Sequence, residues 1–304
     1  MRIWILLGAV VLSLGAGACG AAGSSPKPPS GPGMTIGSSG TTEQAIVANL
    51  YAAVLEHAGA RVTLHTASRT GLSTRALLEP ALTAGRVDLY PDEAGALLLS
   101  LDANDTAAAT EAVTAVPELK RLLSVSGATV LDPAPALDTE VFAVTRATAD
   151  LYHLTTLSSV APVANKLVLG GPPGCPTKPQ CQAGLQSTYG LHFKSFTSLD
   201  DAGPITVAAL RGGEVQMATL HSSDGSVIEN NFVALDDDKH LLNADNVIPV
   251  IRTSVDSPKV AAALNRLSAR LTTDALARLT IEVTVDHQSP GAVARRWLGH
   301  DRLI

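Results

Sequence analysis

The stretch "DLYPDEAG", residues 88–95, places Asp92 and Glu93 directly behind an apolar run and a single tyrosine, Tyr90. Adjacent carboxylates can balance a cation, accept hydrogen bonds from hydroxyls and amines, or exchange protons. The other groups able to do chemistry are thinly spread. Glu140 opens "EVFAVTR", and His221, Ser222, Ser223 and Asp224 follow one another in "LHSSDGS". A histidine beside serines is not a triad, because the base must be oriented by a third group. The chain has no HExxH, G-x-S-x-G or P-loop signature. No CxxC or second Cys/His cluster supplies zinc ligands. These residues point to holding a polar molecule, without cofactor or metal, and not to turning one over.

The elements that would carry them alternate between strand and helix. Met34 to Ile36 reads as a strand. "GSSGTTEQ" (37–44) leads into a helix capped by Thr41 or Thr42, with Ile46, Leu50, Val54 and Leu55 at helical spacing. "RVTLHTA" is a strand, "LSTRALLEPALTAG" a helix and "RVDLY" a strand. The alternation continues through "EVFAVTR" and "KLVLGG". Near the C-terminus, Ser257-Pro258 and Ser289-Pro290 each pair a cap with proline at the first helical position. This order indicates an open α/β sheet, in which ligands sit in the loops at the carboxyl ends of strands. "GSSGTTEQ" and "YPDEAG" are two such loops on this reading.

At 304 residues, with 46% hydrophobic and 3% aromatic residues, the chain can build two lobes whose cores are mostly Ala, Leu and Val. A net charge of −6, with no long basic run, argues against nucleic acid as a partner. Arg2 is followed by an apolar stretch and then by "LGAGAC", ending at Cys19. This reads as a lipoprotein signal over 1–19 with Cys19 lipidated, and the Gly/Ser/Pro-rich 20–33 as a flexible tether. The expected location is therefore exported, lipid-anchored on the outer face of the cytoplasmic membrane. In that oxidising setting Cys175 and Cys181 are expected to form a disulfide.

Five blocks follow in order: "GSSGTTEQAIVANLYAAVLEHAGARV", "GRVDLYPDEAG", the segment from "GGPPGCPTKPQCQ" through "YGLHFKSF" to "HSSDG", "VALDDDKHLLNADNVIPVIR", and "LNRLSARLTTDALARL". Together they resemble the substrate-binding proteins of osmoprotectant ABC transporters, which carry glycine betaine, choline or carnitine. The resemblance runs from about Thr35 to Trp297. It implies a type II-like two-lobed periplasmic binding protein with the ligand in the cleft and two chain crossovers. Lobe one would be 34–138 plus 241–304, and lobe two 139–240. It implies a monomeric receptor that closes by hinge motion and delivers a small solute to a permease. An exported sensor on the same scaffold and a cryptic hydrolase are the competing readings.

Members of that family that bind betaines hold the quaternary ammonium in a cage of aromatic rings. At the matching positions this chain has Glu93, Glu140 and His221, and Tyr90 alone remains as a ring nearby. Either these three line the cleft and select a donor-rich ligand (a polyol, sugar-like compound, phenolic or amine), or they are solvated and other rings build the cage. Thr42 and Gln44, at the start of the first helix, are expected to hydrogen-bond the ligand beside free backbone N–H groups. Asp224 is a ligand contact or a turn residue. Tyr189, Phe193 and Phe196 are expected in the core.

Overall fold

The structure, a computed structural model, describes residues 33–65, 74–104 and 108–304. The signal segment 1–19, Cys19 and nearly all of the tether lie outside the described residues; Gly33, its last residue, already opens a strand.

Two five-stranded mixed sheets form the chain's two lobes. The first contains β1 (Gly33–Gly37), β2 (Arg61–His65), β3 (Leu89–Glu93), β4 (Ala128–Val130) and β10 (Val247–Arg252). Its order is β2-β1-β3-β10-β4, with β1 parallel to β2 and β3, and β10 antiparallel to β3 and β4. The second contains β5 (Glu140–Thr145), β6 (Val168–Gly171), β7 (Ser195–Ser198), β8 (Met217–His221) and β9 (Phe232–Ala234), in the order β7-β6-β8-β5-β9. Each lobe thus repeats one plan, three parallel strands and then an antiparallel strand supplied after a crossover. Strand alternation sends Val247 and Ile251 to one face of the first sheet and Ile248 and Val250 to the other. Helices cover both faces. On one lie α1 (Thr42–His57), α9 (Pro258–Ser268), α10 (Thr273–Thr284) and α11 (Pro290–His300). On the other lie α2 (Arg75–Thr83), α3 (Ala94–Leu101) and α4 (Ala112–Ser124). In the second lobe α5 (Arg146–Tyr152) and α6 (Gln182–Tyr189) pack on one face and α7 (Pro204–Gly212) on the other; the short α8 (Ser226–Glu229) follows β8. No described helix is long and apolar enough to cross a membrane.

"YPDEAG" is not a loop. Tyr90 to Glu93 continue β3, and α3 begins at Ala94. The strand persists because β10, arriving from far along the chain, pairs Val247 with Glu93 and Ile248 with Asp92. Pro91 and Pro249 face each other in that ladder, so neither strand asks the other for the N–H that proline lacks.

The two sheets are joined by residues 131–139 and 235–246, which run side by side. The Asp138 N–H donates to the Asp245 carbonyl at 2.9 Å, the Val247 N–H to the Ala136 carbonyl at 2.9 Å, and Leu137 bridges Asn246. The Ser222 hydroxyl clasps the first crossover, donating to the Leu137 carbonyl at 2.9 Å and accepting from the Thr139 N–H at 3.1 Å.

Cys175 and Cys181 are disulfide-bonded and buried, closing a loop at the carboxyl end of β6. Gly184 is what lets this loop seat on α6, since a Cβ there would fall 1.8 Å from the Pro179 carbonyl oxygen. Gly184→Ala should therefore cost about 2 kcal/mol from overpacking against backbone, read as a lower urea midpoint at unchanged slope. A variant as stable as the parent would show that the loop can shift freely. Tyr189 is buried, and Phe193 and Phe196 pack against the same core, in line with expectation.

The candidate solute cleft

The carboxyl end of β3 and the amino end of α1 meet at a chamber walled by the first lobe. Thr41, not Thr42, caps α1, its hydroxyl accepting from the Gln44 N–H at 3.2 Å. That fixes the first turn and aims the Gln44 side chain at Glu93, whose Oε1 accepts from Gln44 Nε2. Arg75, the first residue of α2, closes the group from the other side. Its Nε donates to Asp92 Oδ1 at 2.8 Å, and its Nη2 to Asp92 Oδ1 at 2.5 Å and Glu93 Oε2 at 2.7 Å. These residues, with Ser39, Thr41 and Asp138, line a chamber of about 240 Å³. Gln44 is 6% exposed, and its buried Oε1 makes no hydrogen bond to a described residue.

A second chamber of about 390 Å³ opens on the far side of Asp138. Glu140 and His221, opposite each other in the β5–β8 ladder, form part of its wall. Lys178, carried by the disulfide loop, donates to Glu140 Oε2 at 2.8 Å. Asp201, Asp245, Asn243, Gln180 and Thr139 complete the polar lining. Asp138 accepts from the Ser223 hydroxyl, and Asp245 from the Ala96 N–H at 2.7 Å.

Burial dominates the titration of these acids. It raises Glu93 well above the ordinary carboxylate range, helped by the charge of Asp92 and opposed by Arg75. It raises Asp138 despite the Ser223 hydrogen bond and nearby His221, and it pushes Asp245 up to about 6. Glu43 is raised for the same reason. Burial lowers Arg75, but hydrogen bonding and the charges of Asp92 and Glu93 more than reverse this and hold it above its ordinary value.

The structure therefore brings Gln44, Glu93, Glu140 and His221 to the cleft. It does not bring Tyr90, whose ring is buried in the core between β3 and α2–α4. Thr42 lines neither chamber. Asp224 accepts from the Ser226 N–H at 2.7 Å and lines a separate groove beside α7. Arg75, Lys178, Asp138 and Asp245 escaped the sequence reading. For Arg75 a signal was present: a cation on the first turn of a helix opposes the macrodipole and needs a local reason. No Phe, Tyr or Trp among the described residues lines either chamber. Nor do three His, Cys, Asp or Glu among them converge to hold a metal ion.

Comparison with known proteins agrees with this architecture. Residues 33–300 match the family described as the substrate binding domain of ABC-type glycine betaine transport systems. The glycine betaine-binding protein YehZ of Escherichia coli (strain K12) is 27% identical over 277 residues, covering 87% of this chain and 89% of that protein. The solved structure of apo YehZ superposes with a TM-score of 0.79 at 24% identity, covering 89% of this chain and 99% of that one. A crystal structure described as a glycine betaine/carnitine/choline ABC transporter gives 0.80 at 22% identity, covering 89% and 98%. These superpositions give the chain the two-lobed α/β fold of periplasmic binding proteins expected from its sequence. Its match over nearly the whole described length places it in a family of extracytoplasmic receptors that take small osmoprotectant solutes and work with an ABC permease. The chain belongs to the substrate-binding domains of ABC-type glycine betaine transport systems.

Proposed function

We propose that this receptor carries a small polar solute rich in hydrogen-bond donors, held between lobes 34–138 plus 241–304 and 139–240 and released to the permease as they part. The observation that carries this is the lining. Where betaine receptors need rings for cation–π contact with a group that cannot hydrogen-bond, the two chambers present Gln44, Glu93, Asp138, Glu140, His221 and Asp245. The relatives named for glycine betaine, carnitine and choline thus give the scaffold, while the lining argues for a different cargo. On this reading the chain is a monomer without catalytic activity, tethered through lipidated Cys19 beside its permease.

A thermal-shift screen of the mature chain tests the cargo. Polyols, sugars and other donor-rich compounds should raise the Tm saturably, and glycine betaine, choline and carnitine should not. A dose-dependent response confined to the quaternary amines would overturn the proposal. With a responding solute in hand, Glu93→Gln and Glu140→Gln should each weaken binding by roughly tenfold or more, the worth of a hydrogen bond to a charged acceptor. Apo stability should change little for Glu140→Gln, whose partner Lys178 is exposed, and should fall for Glu93→Gln, which turns one of the two oxygens accepting from Gln44 and Arg75 into a donor. Normal affinity in both variants would mean that the acids only face solvent.

A further inference from the structure

Both acids that replace cage positions come with a cation of the chain's own. Glu93 has Arg75 at 2.7 Å and Glu140 has Lys178 at 2.8 Å. Neither cation is placed there by its neighbours in sequence. Arg75 reaches in from the amino end of α2, where the helix dipole disfavours positive charge. Lys178 is presented by a loop that the buried disulfide and the close approach at Gly184 hold in one shape. Each pair lines a chamber, so the replacing acid a solute would meet there is already paired, while Asp92 and Asp138 in the one chamber and Asp138, Asp201 and Asp245 in the other leave it acidic.

The Arg75 pairing is the more complete. Nε and Nη2 are spent on Asp92 and Glu93, while Nη1 makes no hydrogen bond to a described residue, and Arg75 lines the chamber. A fork-shaped guanidinium pairs with carboxylates more tightly than an ammonium carrying no N–H groups. We propose that Arg75 is a specificity-determining residue of the cleft. It is a resident cation that takes the place beside Asp92 and Glu93 which a solute's positive group would otherwise occupy, and so it turns a cation-binding scaffold toward neutral, hydroxylated solutes. A hydroxyl both donates and accepts, and can accept from Arg75 while donating to a carboxylate of the same chamber. The raised titration of Glu93, Asp138 and Asp245 works in the same direction, since carboxyls that ionise reluctantly attract a cation less.

This inference rests on the cleft being the solute site, but its test uses no transported solute. Arg75→Ala removes the resident cation and leaves Asp92 and Glu93 facing an empty space of guanidinium shape. The variant should melt below the parent, and ethylguanidinium at low millimolar concentration should raise its Tm saturably and recover more than half of the loss. The parent chain should respond to neither ethylguanidinium nor choline under the same conditions. If Arg75→Ala does not fold, the double variant Arg75→Ala/Glu93→Gln leaves one carboxylate to balance and should show the same ethylguanidinium response. A flat response from the variant, or a choline response from the parent, would overturn the proposal. A solute screen that finds nothing would count against the cargo reading alone, because the rescue curve still decides what Arg75 does.

Discussion

Asp88→Ala is expected to destabilise the first lobe by about 3 kcal/mol, roughly 6–12 °C in Tm for a domain of this size. Asp88 is 7% exposed. Its Oδ2 accepts from the Thr35 N–H at 2.8 Å and its Oδ1 from Arg252 Nε at 2.9 Å, with Arg252 Nη2 bound to the same oxygen. The residue therefore ties β1 to β10, the strand that enters the sheet last in chain order. Alanine would leave a half-buried guanidinium with no counter-charge and a β1 N–H with no acceptor, and each is penalised more than the intact pair is rewarded. The comparison that isolates the cause is Asp274→Ala, which breaks the exposed Arg278–Asp274 pair on α10. That change should leave the urea midpoint where it was. Equal losses from the two would mean that burial is not what gives Asp88 its weight.

Asp245→Asn should have the opposite sign, and only above mildly acid pH. Burial pushes the Asp245 carboxyl from 3.8 up to about 6 in the folded chain. A raised folded-state value means that the native protein holds this proton more tightly than the unfolded one. The resulting advantage is full below about pH 4 and is lost as pH rises through 6. Above that, the ionised group costs the fold up to about 3 kcal/mol, a gap of about two pH units at 1.36 kcal/mol each. Asparagine keeps an oxygen for the Ala96 N–H, which Asp245 Oδ1 meets at 2.7 Å, and it has no proton to lose. Urea unfolding should show Asp245→Asn ahead of the parent at pH 8 and level with it at pH 4. A constant difference at both pH values would exclude ionisation as the cause.

Local pattern reveals the fold well and the cleft unevenly. The helices after Ser257 and Ser289 begin where Ser-Pro announces them, with Ser257 and Ser289 accepting from Val260 and Ala292. The disulfide follows from spacing and compartment. The continuation of β3 through Pro91 to Glu93 was hidden, because what keeps it extended is β10, contributed after the second crossover. For the same reason Tyr90 looked like a cleft residue and proves to be core: once 90–93 is a strand, alternation turns its ring to the opposite face from Leu89. Glu93, Glu140 and His221 were found because a family resemblance marks their positions. Arg75 and Lys178 were missed because their partners lie in other elements, and only the assembled fold puts a guanidinium or an ammonium beside those acids.

The paired crossovers have a consequence for how such a receptor changes over time. The joint between the lobes is written largely in main-chain hydrogen bonds, Asp138 to Asp245 and Val247 to Ala136, with one serine hydroxyl as a clasp. On the proposed reading the grip on the cargo is written in side chains, some from either side of that joint and two, Asp138 and Asp245, from the joint itself. A side-chain substitution leaves those main-chain bonds in place, so a lineage can trade one cargo for another by small steps without passing through a receptor that no longer closes.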